Sequence, residues 1–168
     1  ASSGPGTILH LSGELFAHKT GTQLLHVPYK GAVPASTDLL GGQVQAMFDS
    51  ISNAAPQVRA GKLKALAVLT PERTPLLPGV PTGDEAGFPG LAFPAWLGVF
   101  APAGTPNDVV NRIATTLQQA LAQPDVASKL MQSGITPAFI AGEAFRTKLA
   151  ADQKVVADLV TVAKVPQQ

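Results

Sequence analysis

Residues Leu24 to Asp49 read LLHVPYKGAVPASTDLLGGQVQAMFD: a β-rich run, a short helical pattern, a Gly-Gly stop and a second β-rich run. The runs Leu24–Tyr29 and Val44–Asp49 are predicted strands, and Pro34–Leu40 is a predicted helix closed by Gly41 and Gly42. Strand, helix and strand in that order argue a βαβ unit with parallel strands. Reading backward, Ile8, Leu11, Leu15 and Phe16 recur at helical period in a predicted helix from Thr7 to Thr20 that ends at Gly21. Reading forward, Ser52 or Asn53 caps a helix through Ala60 with Pro56 in its first turn, Gly61 closes it, and Leu63–Leu69 is a third strand.

Beyond Leu69 the texture changes. Pro71–Gly90 holds five prolines and four glycines and reads as irregular chain with one turn of helix at Gly83–Ala86. Pro94 breaks the extended piece LAFPAWLGVFAPAG, which is expected to cross between structural units. Thr105–Asp108 carries a capping-box pattern with Pro106 at the first helical position, followed by Val109, Ile113, Leu117 and Leu121 every four residues. Pro124 opens a short helix that stops at Gly134, with Val126 and Leu130 inward. Gly142–Ala163 is a longer one with Phe145, Leu149, Val156, Leu159 and Ala163 on one stripe. The fold class is therefore α/β: a lobe of βαβ units over residues 1–95, then a crossing strand and C-terminal helices over 96–168.

Composition narrows the chemistry. The 168 residues are 45% hydrophobic and 14% charged, which is the make-up of a globular chain. A net charge of +1, 5% aromatics and no basic cluster leave no footprint for nucleic acid. With no cysteine, disulfides, thiolate metal sites and cysteine nucleophiles all fall away. Apolar runs such as LKALAVL fall short of the roughly 20 residues that a membrane span needs. A chain starting on ASSG, with no strand before its first helix, is expected to derive from a longer precursor that has lost its secretory signal.

In an open parallel α/β sheet, ligands collect beyond the carboxyl ends of the strands, where loops enter helices. Three such turns are expected to converge: Ser2-Ser3-Gly4-Pro5-Gly6-Thr7, Pro28-Tyr29-Lys30-Gly31 and Phe48-Asp49-Ser50. The first has two readings. Ser2, Ser3 or Thr7 caps the helix, or the small residues let an anion approach the unpaired N–H groups and positive dipole end of its first turn. Asp49 suits a ligand hydroxyl, amine or water, or is a turn residue. Lys30 pairs with an anion or stays solvated, and Tyr29 offers its hydroxyl to ligand or backbone. His10, His18 and His26 keep no metal-site spacing, so no metal or other cofactor is expected. The SSGPG context of Ser3 lacks the G-x-S-x-G elbow, which leaves a Ser3/His10/Asp49 hydrolase as a rival reading. A pure assembly module with no small ligand is another.

The ordered set ASSGPGT…HLSGELF, HVPYKG…DLLGGQVQAMFD, AGKLKALAV, PGVPTGDEAGFPG and WLGVFAPAGTP resembles the periplasmic substrate-binding receptors of tripartite tricarboxylate transporters, the Bug receptors. The resemblance implies a periplasmic-binding-protein fold, two lobes closing on a small organic carboxylate, no turnover, and presentation of the ligand to membrane permease subunits. It assigns Ser2, Ser3, Gly4 and Thr7 to a carboxylate loop, making the anion cradle the expected role, and lines the same cleft with Asp49. Tyr29 and Lys30 complete the expected site. The family's first lobe has no counterpart here. Val109, Ile113, Leu117, Phe145, Leu149 and Leu159 are accordingly expected to lack their usual partner and to find either that lobe or a second copy in a homodimer.

Overall fold

The computed structural model describes residues 1–93 and 95–162 and divides into two compact units. One comprises Ala1–Ala95 and the chain from Gln153, the other Trp96–Asp152. Pro94 and Ala163, for which the sequence predicts a break and a place on the helical stripe, lie outside the described residues.

Three helices belong to the first unit from the start: α1 (Ile8–Thr20), α2 (Ala32–Leu40) and α3 (Ile51–Arg59). Thr7 caps α1, its side chain accepting the His10 N–H, and Gly21 ends the helix in the left-handed conformation at φ 66°, which glycine adopts without strain. The cap of α3 is Ser50, whose Oγ accepts the Asn53 N–H at 3.4 Å, not Ser52 or Asn53. With the helix starting two residues sooner, Pro56 falls inside it, beyond the first turn. All three polar residues are competent caps; the backbone turn after Asp49 selects the first.

The expected strands are present only as single parallel bridges among the described residues, Ser2 with Pro28 and Val68 with Thr82. Ser2 donates to the Val27 carbonyl and accepts from the Tyr29 N–H, while Ala1 donates to Ala46 and accepts from Phe48. Ala1–Ser2 is thus flanked on both sides by parallel chain. Neither pairing repeats into a continuous ladder among the described residues. Gly83–Ala86, read as a turn of helix, lies in a short turn where Ala86 donates to the Thr82 carbonyl.

The core of this unit is Leu11, Leu15, Leu91 and Leu159, with Phe16, Leu69, Phe93 and Val160 packed against it. Leu159, expected to be without a partner, is only 6% exposed. Its helix, α6 (Gly142–Val162), is long enough that its final turns belong to the first unit.

The second unit holds α4 (Asn107–Leu121), α5 (Pro124–Gln132) and the start of α6. The capping box at α4 does not form, because Pro106 and not Thr105 takes the cap position; the Thr105 hydroxyl donates to the Pro102 carbonyl at 2.8 Å. Neither α4 nor α5 has a buried residue, and Val109 and Ile113 are each 42% exposed. The aromatic contacts are Trp96 and Phe100 on the ring of Phe145, with centroids at 5.4 and 5.6 Å.

Two leucines provide a test of this packing. Leu159→Ala removes a buried side chain and is expected to cost about 2–5 kcal/mol, whereas Leu25→Ala, at a position 89% exposed, stays within about 0.5 kcal/mol. Urea denaturation of both variants checks it.

Candidate functional site

The backbone bonding that flanks Ala1–Ser2 decides what lies at one end of the first unit. Tyr29 and Gly31 donate to the carbonyls of Ser2 and Ser3, and Phe48 donates to Ala1, so Gly4, Ala32 and Asp49 each lie just beyond the paired residues in the same direction, with Lys30 between the last two donors of its segment. The starts of α1, α2 and α3 come next along the chain. None of the three first turns contains an acidic residue, so the positive dipole ends of α1 and α2 meet no acid there, while that of α3 faces Asp49 just before its cap.

Within the Ser2–Thr7 loop the polar groups divide their work. Ser2 is 1% exposed, and its Oγ accepts the Gly4 N–H at 3.2 Å and lies 2.6 Å from Nε2 of His26. Thr7 donates to the Gly4 carbonyl at 2.8 Å while capping α1, and the Ser3 hydroxyl donates to Thr7 Oγ1 at 3.3 Å. Gly4 has φ 136°, and a Cβ there would stand 3.2 Å from the Tyr29 carbonyl oxygen, so only glycine fits. Thr7 thus realises the capping reading, yet the N–H groups of Ser3, Ile8 and Leu9 have no partner among the described residues. Those of Ala32 and Val33 at the start of α2, whose cap position is Gly31, are likewise open.

Around this loop, the Tyr29 hydroxyl donates to Asp38 Oδ2 at 2.8 Å, a bond that raises its pKa, and Lys30 is exposed. Asp49 Oδ1 accepts the Ser50 N–H and Oδ2 the Asn53 side-chain amide at 2.6 Å. Burial pushes the Asp49 carboxyl above its ordinary value, against the downward pull of hydrogen bonds from Asn53, Ser50 and Ser36.

The Ser3/His10/Asp49 triad is not assembled. His10 Nδ1 accepts the Gly6 N–H at 3.1 Å and its Nε2 faces Glu14 at 3.4 Å, while Ser3 is bonded to Thr7 and Asp49 to Ser50 and Asn53. His18 is exposed in the last turn of α1, and no group of metal-ligating side chains occurs among the described residues. Sequence reasoning missed His26, Asn53 and Asp38 as the groups that hold Ser2, Asp49 and Tyr29. Their spacings from those residues follow no helix or strand period except the four residues between Asp49 and Asn53, a spacing that in the sequence signals only a cap.

Residues 1–162 match the family described as tripartite tricarboxylate transporter family receptor. A protein encoded between tcbD and tcbE in Pseudomonas sp. strain P51 is 45% identical over 82% of this chain and 41% of its own length. The R. palustris protein Rpa4515, solved with adipate, is 33% identical with a TM-score of 0.83, over 95% of this chain and 53% of that one. MatC from Rhodopseudomonas palustris, solved with bound malate, is 34% identical with a TM-score of 0.74, over 94% and 53%. The chain spans about half the length of these structures and somewhat less of that relative. With a match over nearly its whole length, this chain belongs to the tripartite tricarboxylate transporter receptor family.

Proposed function

We propose that the chain is the carboxylate-gripping part of a periplasmic solute receptor, which captures a small organic acid and passes it to membrane permease subunits without chemical turnover. The observation that carries this reading is the start of α1: open N–H groups at Ser3, Ile8 and Leu9, a Ser3 hydroxyl held only by a long 3.3 Å bond to Thr7, and no acid in the first turn. Such a site holds a carboxylate by hydrogen bonds and the helix dipole, with no need of a cation. The ligands named for two related structures, adipate and malate, have the matching chemistry.

The roles within the site are part of the same proposal. Ser3 and Thr7 touch the ligand, Ser2 and Gly4 shape the loop, and Tyr29, Lys30 and Asp49 line the surrounding cleft. In a receptor of the relatives' length, Leu24–Tyr29, Val44–Asp49 and Leu63–Leu69 are the strands of a parallel sheet, residues 1–95 are the α/β lobe, and the open faces of α4 and α5 pack on chain beyond the length spanned here. A second copy in a homodimer is the substitute cover for this chain alone.

Calorimetry with malate and adipate tests the central reading. Ser3→Ala is expected to weaken binding by about 1.5–3 kcal/mol, the scale of a hydrogen bond to a charged group. Absence of heat and of any loop response with both acids would overturn it. Asp49 provides a second measurement by carbon-detected NMR. Its carboxyl titrates above the ordinary value of about 3.9. Because the folded value is raised, the group favours folding below its unfolded pKa, and that contribution is lost as pH rises through the folded one. A bound carboxylate beside it moves the titration further up. An unchanged curve in saturating malate would remove Asp49 from the site. For the helices, sedimentation of the chain alone is expected to give a mass above 17.2 kDa that Val109→Asp with Ile113→Asp reduces to the monomer. A monomer throughout would contradict self-association.

A further inference from the structure

Two imidazoles outside the ligand-facing set hold the Ser2–Thr7 loop from beneath. His10 and His26 stack with ring centroids 3.9 Å apart and planes 16° from parallel. They come from different elements, His10 from the first turn of α1 and His26 from the segment that pairs with Ser2. Each reaches one half of the loop. His26 Nε2 sits 2.6 Å from Ser2 Oγ, which itself accepts the Gly4 N–H, and His10 Nδ1 accepts the Gly6 N–H at 3.1 Å. His10 is 7% exposed, so water cannot readily replace it as acceptor.

We infer that the stacked His10–His26 pair is a positioning device for the carboxylate loop, and that uptake of a proton by the pair releases Gly6 and loosens the loop's grip on its ligand. The inference rests on the carboxylate reading of the loop under Proposed function. An imidazole that accepts a hydrogen bond at Nδ1 must be unprotonated there; adding a proton sets two donors facing each other and breaks the bond. Stacking makes the step harder to share, since a second proton would place two positive rings in contact.

The charged groups facing the pair are Glu14, on α1 against His10 Nε2, and the Ala1 ammonium, which donates to the Ala46 carbonyl. Leu24, Leu25 and Phe48, which complete the surrounding walls, bring no charge. Burial first, then His10 and the Ala1 ammonium, lower the pKa of His26 from its ordinary 6.5, and Glu14 acts in the opposite sense. A base with a lowered folded value contributes stability that is complete above the unfolded value and is lost as pH falls through the folded one. The His26 contact with Ser2 is therefore complete at neutral pH and above and is weakened on the acid side.

The test uses the 168-residue chain, with proton–nitrogen NMR from pH 8 to 5.5 as the primary readout. The amides of Gly4 and Gly6 are expected to shift together with the ring protons of His10 and His26. In His10→Asn the side-chain carbonyl replaces Nδ1 as an acceptor that does not titrate, so the Gly6 amide should keep its high-pH position throughout. His26→Gln does the same for Ser2 and Gly4, and serves if His10→Asn does not fold. The Ala1 amine has a pKa lowered by burial from 8.0, and both substitutions leave it in place. A Gly6 response that persists in His10→Asn would belong to that amine and overturn the inference. So would loop amides that stay still in the unsubstituted chain while the rings titrate. With malate as probe, affinity in the unsubstituted chain is expected to fall about three- to tenfold between pH 8 and 5.5, the worth of one buried hydrogen bond, and to fall less in His10→Asn. If neither malate nor adipate moves any loop amide at pH 8, the carboxylate reading fails by itself, and the ligand-free amide titration still decides the role of the pair.

Discussion

The geometry of the first unit depends on the backbone hydrogen bonding of Ala1–Ser3, which is paired on both sides at once. Adjacent residues in extended chain present their N–H and C=O groups to opposite sides. Ala1 consequently bonds to Ala46 and Phe48, and Ser2 to Val27 and Tyr29. All three segments then run in one direction and finish at one end, where each delivers the next residues of its chain. Those residues begin α1, α2 and α3. The convergence of three positive dipole ends is thus a consequence of parallel pairing, and it needs no charged side chain to produce an anion-favouring surface.

That arrangement bears on the proposed carboxylate site of a chain with a net charge of +1 and only one lysine in the three turns. An ammonium or guanidinium close to a carboxylate binds it strongly but must shed its own water to do so. Backbone N–H groups fixed by a helix are already oriented, and small residues at Ser3, Gly4 and Gly6 let the ligand reach them. At Thr7, capping leaves part of the helix start open. Its oxygen satisfies the His10 N–H, and the groups of Ile8 and Leu9 still point outward without partners among the described residues. The same economy argues against catalysis, because the hydroxyl of Ser3 has Thr7 as its partner and not a base.

Much of this is legible in the sequence where the signal is local. The limits of α1 and α5 come from Gly21, Pro124 and the hydrophobic period, and the βαβ order alone places the three turns at one end. What escapes depends on contacts between distant residues or on competing backbone partners. The capping box at Thr105 fails because Pro106 takes the cap position, and the α3 cap is fixed by the turn at Asp49. Ser2 and Ser3 are neighbours of one residue type, and nothing in SSG says which hydroxyl faces inward; His26, far along the chain, decides it. The stack of His10 on His26 has no sequence period for the same reason.

The core sets a further constraint on how the lobe can be divided. Leu11 and Leu15 lie on the inner face of α1, the helix whose start carries the proposed grip, and they are covered by Leu91 and by Leu159 from the end of α6. The chain leaves this unit after Ala95 and re-enters it at Gln153, so the unit that holds the loop is built from two separated stretches of chain. Burial of each such leucine is worth about 1.5–3 kcal/mol, a large share of the stability of a small domain. Cutting the chain at the boundary near residue 95 would leave the inner face of α1 partly wet and free its first turn to shift against the Ser2–Tyr29 pairing. The setting of the Ser2–Thr7 loop is therefore secured by Leu159, from a helix whose own first turns belong to the other unit.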